Sequence, residues 1–243
     1  SDSGLEKGDY LMKLNSEVGF TWLGHGTWQA QSVAGRKLLL EAFVKSNPAT
    51  PERLKKIDKA DIVVITHGHG DHTADLVEIA KATKPTILCP NEIGHWLATQ
   101  GIEEKVVAFA KGGTVEVEGI TFTMVHAEHF SSMPDGSYAG EPVGYVITFE
   151  NGFKIYFAGD TDVFGDMALI RELDAPEVAF LPIGDFYTMG PRRAAKAVEL
   201  LGVKTVVPMH YGTMPALHGR PDQLQKLVGP GVKVVDIQPG DSI

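Results

Sequence analysis

The sequence predicts an α/β protein made of stacked mixed β-sheets covered by helices, and three observations carry that expectation. Short apolar runs of strand length alternate with helical segments, in an order that repeats roughly once along the chain. Asn151-Gly152 between two apolar runs is a strong hairpin signal. No Pro/Ser-rich linker parts the halves, so the 243 residues read as one domain over 1–243, with residues 1–16 as a peripheral N-terminal extension.

The first half is expected to hold strands at Val18 to Leu23, Lys37 to Val44, Ile62 to Ile65, Thr86 to Leu88, Val106 to Phe109 and Ile120 to Val125. Helices are expected over Pro51 to Ile57, Ala74 to Thr83 and Glu92 to Thr99. The first has Thr50 as N-cap and Pro51, with its preset φ, at the first helical position. In the second half Val143 to Phe149 and Phe153 to Phe157 form the hairpin. A helix near Val163 to Leu173, a strand Val178 to Leu181, a helix Pro191 to Leu201 and a strand Thr205 to Val207 follow. A helix near Pro221 to Val228 and a strand Val232 to Asp236 end the pattern.

Composition removes several classes of function. Lys plus Arg number 22 against 31 Asp plus Glu, a net charge of −9, so the clustered cations that a polyanion draws on are absent and no nucleic-acid partner is expected. No run approaches ~18 apolar residues, so no membrane span is expected. The lone Cys89 excludes an internal disulfide and reads as a small core residue near a strand end. With no apolar signal core visible near the start, a cytoplasmic location is expected.

The densest chemistry lies at the end of the run Ile62 to Ile65, in His67, Gly68, His69, Gly70, Asp71 and His72. Imidazole and carboxylate groups so closely spaced after a buried strand suit zinc, manganese or iron. The two glycines are expected to let the backbone turn sharply so that these side chains converge. Other polar clusters also follow strands: His126, Ala127, Glu128 and His129; Gly159, Asp160 and Thr161; Pro208, Met209, His210 and Tyr211. Together they can fill the coordination of two metal ions.

HGHGDH after a buried strand, His129, Gly159-Asp160-Thr161 and the late His210 resemble the metallo-β-lactamase superfamily, whose fold is an αββα sandwich. TWLGHG at Thr21 to Gly26, GDTDVFGDM at Gly159 to Met167, LPIGD at Leu181 to Asp185, TMGP at Thr188 to Pro191 and PMHY at Pro208 to Tyr211 extend the likeness. They resemble the uncharacterised-protein family of metal-dependent hydrolases related to ascorbate-phosphate lactonases, over essentially the whole chain from about Phe20. The resemblance implies two divalent ions, zinc first and manganese or iron as alternatives. It places His67, His69 and His129 on the first, Asp71, His72 and His210 on the second, and Asp160 between both. His129 is preferred to His126 because its spacing to Ser131 and Ser132 follows the family pattern.

Further residues extend the expected site. His25, in the Gly24-His25-Gly26 turn, is a candidate catalytic or substrate-contacting group, or a structural turn residue. Asp71 is expected to orient a hydroxide or move a proton as well as bind metal. Asp185 is a candidate catalytic contact, and Tyr138, Tyr187, Tyr211 and Arg192 are candidate substrate contacts. His95 and His218 are read as ordinary surface or core histidines. Glu41-Ala42 stands where the family carries Asp-Pro, and the added methylene is expected to shift the surroundings of the metal loop. Arg192 and Arg193 favour an anionic substrate if their helix points at the site, and a solvated face otherwise. The loop His126 to Pro142 is a candidate lid.

The expected activity is that of a binuclear hydrolase: a metal-bound hydroxide attacks a phosphodiester, lactone or related ester of a small, anionic substrate. The alternatives are an iron-dependent dioxygenase or oxidoreductase on the same fold, or a non-catalytic metal-binding module. A homo-oligomer is compatible with the sequence, although no interface stripe marks one. The pattern at Asp160 argues against class B β-lactamases, which place Cys on the second metal. No long tRNA-binding insertion is visible, and the stretch from Asp160 to His210 is too short for the appended domain of mRNA-cleaving nucleases.

Overall fold

Two sheets carry the architecture in the computed structural model, which describes residue 14 and residues 16–243. The expected extension over 1–16 therefore lies, apart from Leu14 and Ser16, outside the described residues. The first sheet has strand order β1 (Gly19–Gly24), β2 (Thr27–Gln31), β3 (Lys37–Leu40), β4 (Ile62–Val64), β5 (Thr86–Pro90) and β6 (Val106–Phe109). β1 to β3 pair antiparallel and β3 to β6 parallel. The second sheet starts with the antiparallel meander β7 (Thr114–Val117), β8 (Ile120–His126), β9 (Val143–Thr148) and β10 (Lys154–Phe157). It continues in parallel through β11 (Val178–Pro182), β12 (Thr205–Met209) and β13 (Lys233–Val234).

The side-chain period of two sorts these strands into three cores. Leu38, Leu40, Ile62 and Val64 point inward onto Phe122, Tyr145, Phe157 and Phe180 of the other sheet. Trp22 and Trp28 stack at 5.8 Å in the same layer, with Phe180 edge-on to Trp28 at 5.0 Å. Leu39 and Val63, one residue out of phase, face outward onto Leu76 and Ile79 of α2 (Leu76–Thr83) and onto Ile93 and Leu97 of α3 (Asn91–Thr99). On the far side Tyr156, Ala179 and Leu181 meet α4 (Met167–Leu173), α5 (Pro191–Leu201) and α6 (Pro221–Leu227). The result is the expected αββα sandwich. Among the described residues no helix is long and apolar enough to cross a membrane.

Several expected boundaries move for identifiable reasons. The strand from Lys37 stops at Leu40 because Glu41 turns left-handed, with φ 64°. Pro51 to Ile57 forms only a 3-10 turn over Glu52–Leu54, since it has few apolar groups to pack and so short a helix is marginal alone. Thr50 does not cap it; its hydroxyl donates to Leu23 O at 2.6 Å. The helix expected from Ala74 begins at Leu76, after a separate turn α1 (Gly70–Thr73). Asp75 parts them, because its carboxylate accepts from Val44 N, Ser46 N and the Ser46 hydroxyl. The helix near Val163 starts at Met167, and the last strand shortens to two residues. β2 and β7, short and rich in polar residues, were not expected.

Candidate metal centre

The polar clusters converge because the strands bearing them end at one edge of the sandwich. β4 delivers His67, β8 leads to His129, β10 to Asp160 and β12 to His210, while the turn after β1 adds His25. Two hydrogen bonds join the sheets beside this edge: Tyr145 Oη donates to Ile65 O at 2.9 Å, and Val143 N to Thr66 O at 3.1 Å.

The motif turns by a helical mechanism, in place of the glycine freedom expected from sequence. Neither Gly68 nor Gly70 has positive φ. His69 precedes α1, His72 N donates to His69 O at 2.9 Å, and the Thr73 hydroxyl donates to Gly68 O at 2.9 Å. Gly68 is needed for close approach, as a Cβ there would lie 2.6 Å from Ala139 Cβ and 2.8 Å from Ser132 O. Gly159 is needed twice over. Its φ is +61°, and a Cβ would fall within 2.8 Å of three Thr66 atoms, so only glycine lets Asp160 approach the His67 strand.

Three donor groups result among the described residues, and one of them, Glu41, His67 and His72, straddles the other two. His67, His69 and His129 form one cluster, and His25, Asp71, His72 and His210 a second, each with one donor atom per residue inside 4.8 Å. Asp160 lies between them. Its Oδ2 is 3.1 Å from both His72 Nε2 and His210 Nε2, 3.5 Å from His129 Nε2 and 3.7 Å from His67 Nε2. Asp71 Oδ2 is 2.8 Å from His25 Nε2 and 3.4 Å from His210 Nε2. The outer ring nitrogens of His67 and His25 are hydrogen-bonded, while that of His72 faces a carboxylate without an aligned hydrogen bond. His67 Nδ1 bonds Thr66 Oγ1 at 2.9 Å, His25 Nδ1 bonds Thr213 Oγ1 at 2.8 Å, and His72 Nδ1 sits 3.2 Å from Glu41 Oε2.

These residues fit divalent metal. Both ring nitrogens of His210 and Asp160 Oδ1 are buried with no aligned hydrogen-bond partner, a costly state for groups that are otherwise nearly always paired. Four imidazole nitrogens aimed at one carboxylate oxygen are a donor set for a cation. The protonation pattern without metal divides the site. Burial holds the His67 imidazole well below its ordinary pKa and lowers those of His69 and His129. Burial works the same way on His210 and His72, but the carboxylates outweigh it: Asp160 raises His210 to about 9, and Asp160 with Asp71 raises His72. Burial opposes ionisation of Asp160 and Asp71, yet the surrounding histidines hold both carboxyls well below the usual range. His25 is pushed down to about 4 by burial and by the charge on His210.

The remaining expected residues divide. His126 lies at the surface with Glu128 and Lys111, outside both clusters. Asp185 is exposed, accepts from Phe186 N at 2.8 Å and faces His218 at 4.0 Å, so it serves its own turn and not the cluster. Tyr211 is no rim contact: its ring packs on Trp22 at 5.2 Å and its hydroxyl reaches toward Ile237 O. Tyr138 lines a separate cavity of about 520 Å³ with Glu92, Lys111 and Glu141. Tyr187 is exposed beside Phe186. Arg193 is held by Asp162, while Arg192 is exposed in the first turn of α5. The expected lid is pinned near its base, where Met133 and Ala139 are buried and Ser131 Oγ accepts from Gly68 N. Thr66 and Thr213 were missed, and no sequence spacing marks them.

Comparison with known proteins follows the same lines. The model of the beta-lactamase superfamily domain matches residues 35–211. A UPF0173 metal-dependent hydrolase of Koribacter versatilis is 47% identical over 225 residues, covering 91% of this chain and 96% of the relative. One from Roseiflexus castenholzii is 44% identical, covering 96% and 100%. Igni18, a metallo hydrolase of the archaeon Ignicoccus hospitalis, superposes with a TM-score of 0.82 at 33% identity, over 93% of this chain and 97% of that one.

Proposed function

The chain belongs to the metallo-β-lactamase superfamily, among the UPF0173 metal-dependent hydrolases, and from that premise we propose that it hydrolyses an ester-type bond of a small molecule at a centre of two divalent ions. The observation that carries the binuclear reading is the position of Asp160 Oδ2, within 3.7 Å of histidines from both donor clusters. His67, His69 and His129 would hold one ion, Asp71, His72 and His210 the other, and Asp160 would touch both. Bound there, zinc, manganese or iron supplies Lewis acidity and lowers the pKa of water toward neutrality.

The chain's own groups do the rest. Asp71 remains ionised and is half-buried, so it can accept a hydrogen bond from an attacking water and hold it in line, while the depressed pKa makes it a weak base. His25 donates from Nε2 to Asp71 Oδ2 and fixes which way that carboxylate faces. Thr66 holds the outer nitrogen of His67 and the Glu41 carboxylate faces that of His72 at 3.2 Å, in the positions such partners commonly take for metal-binding imidazoles. Burial of His67, His72, Asp160 and His210 excludes bulk water from one side of the reacting bond.

Lactones, simple esters and phosphodiesters remain the substrate classes for the bond that breaks. The test is metal content of the purified chain together with hydrolysis of bis-p-nitrophenyl phosphate, p-nitrophenyl esters and simple lactones. Two ions per chain and turnover of one class are expected. One ion or fewer, with no turnover after zinc or manganese is added, overturns the reading.

A further inference from the structure

The loops after β8 and β12, which lead to or bear donor residues, and the loop after the intervening β11 each leave a large apolar side chain in water. Phe130 is 81% exposed one residue after His129, with ring centroids 6.1 Å apart. Phe186 and Tyr187 are 69% and 57% exposed at the tip of the loop after β11. That loop is held at the site by Met189 N, which donates to the carbonyl of Thr161 beside Asp160, and by Gly184 O, which accepts from Gly219 N in the loop following His210. Met214 is exposed next to Thr213, the partner of His25. Isolated exposed apolar residues need no explanation, but four on loops joined by sequence or hydrogen bond to the donor residues call for one.

Backbone strain singles out one of them. Asp185 and Phe186 both take left-handed φ, 67° and 66°, a region rare for bulky residues. Phe186 gains only an edge-on contact with Tyr187 at 4.7 Å in return. Strain held at an exposed aromatic, with little packing to offset it in the free chain, points to a ligand. The nearby cations are largely engaged: Arg193 with Asp162, Lys111 with Glu141, and Arg220 with the carbonyls of Leu217 and Gly219. Arg192 is the exception, with no ion pair among the described residues.

We propose that Phe130, Phe186, Tyr187 and Met214 form an apolar mouth that binds an uncharged acyl or aryl arm of the substrate, so the preferred substrates are neutral esters or lactones with an extended apolar group. The proposal takes from the hydrolase reading only the location of the reacting bond. A neutral arm replaces the anionic substrate that the arginine pair suggested.

Binding by hydroxamates of different tails tests the mouth without needing turnover. Calorimetry on the zinc-loaded chain compares acetohydroxamate, octanohydroxamate and the eight-carbon analogue ending in carboxylate. A fully buried methylene is worth about fourfold in affinity, so half-burial of the extra chain gives roughly sixtyfold in favour of the octanoyl compound. The carboxylate-tailed analogue should bind more weakly than the octanoyl one. Phe186→Gly combined with Phe130→Ser should shrink the octanoyl advantage to about fivefold or less, with Phe186→Gly alone raising the melting temperature because glycine suits that φ.

An octanoyl advantage near one, tighter binding of the carboxylate tail, or an advantage untouched by the substitutions overturns the proposal. So does a dimer that Phe186→Gly dissociates while the hydroxamate ratio stays constant, which would assign these aromatics to a second copy of the chain. A strong octanoyl advantage without turnover of any ester, lactone or phosphodiester supports the mouth and overturns the hydrolytic reading instead. Binding of acetohydroxamate alone overturns the mouth and leaves the metal chemistry standing.

Discussion

The two halves of the candidate metal centre use the same side chain in opposite states. His67, His69 and His129 face few carboxylates, and burial keeps their imidazoles neutral, so their lone pairs are ready for a cation. His72 and His210 sit against Asp71 and Asp160, which draw protons onto them. One half is thus preformed by desolvation. The other is a buried network of charge that must give up protons before it can bind. The carboxylates that make the second half a strong cation site when loaded also make it a proton store when it is not.

Removing the shared carboxylate should break the contrast altogether. Asp160→Asn keeps the shape but takes away the charge that raises His72 and His210, so both should move back toward neutrality. Loss of at least about a thousandfold in hydrolysis is expected if both ions are needed, with bound metal falling toward one per chain by elemental analysis. Retention of two ions and normal turnover would show that the halves do not communicate through this residue.

Proton release sharpens the contrast with no substitution. Protonation of His72 and His210 competes with metal, so affinity of the carboxylate half falls as pH drops below about 9, the value for His210. Where both imidazoles are protonated, two protons leave per ion, which is about a hundredfold in affinity per pH unit. The histidine triad should show almost no such dependence near neutral pH. Calorimetry in buffers of different ionisation enthalpy separates the two events; equal proton counts would refute the division.

Glu41→Gln should act mainly on the carboxylate half, through His72. Glu41 is fully buried, accepts from Thr66 N at 3.0 Å through Oε1 and faces His72 Nδ1 through Oε2. Loss of such an outer partner costs about 10- to 100-fold in metal affinity, and in a chelator competition the loss should fall mainly on the ion held by Asp71, His72 and His210.

The same contrast explains what could be read from the sequence. The candidate ligands were legible because their clusters follow apolar strands and resemble the superfamily's motifs, and strand ends of one sandwich gather at one edge. His129 could be told from His126 by spacing, and the structure places only His129 beside Asp160. Glu41 was noticeable as a departure from the family pattern, but its contact with His72 was not, since that depends on a left-handed turn at residue 41. Thr213 was invisible because a threonine hydroxyl has no spacing rule, and its partner His25 lies on the other sheet. Tyr211 misled because a tyrosine beside a ligand reads alike whether its ring enters the core or the rim.

Thr213→Val gives the smallest effect and the finest test of the carboxylate half. His25, pushed down to about 4, is neutral at physiological pH, and Asp71 is ionised, so the proton on His25 must lie on Nε2 for the 2.8 Å contact with Asp71 Oδ2 to be favourable. Nδ1 is then an acceptor, and the Thr213 hydroxyl at 2.8 Å is its donor. Valine keeps the volume but leaves Nδ1 unpaired, and the alternative tautomer would turn a lone pair toward the carboxylate. Either response loosens Asp71, so kcat should fall about five- to tenfold, the effect of roughly 1 kcal/mol from one neutral hydrogen bond, while KM stays nearly constant. Thr213→Ser restores the hydroxyl and should recover most of the rate. A serine variant as slow as the valine variant would mean that the methyl group, and not the hydrogen-bonded tautomer, holds His25 in place.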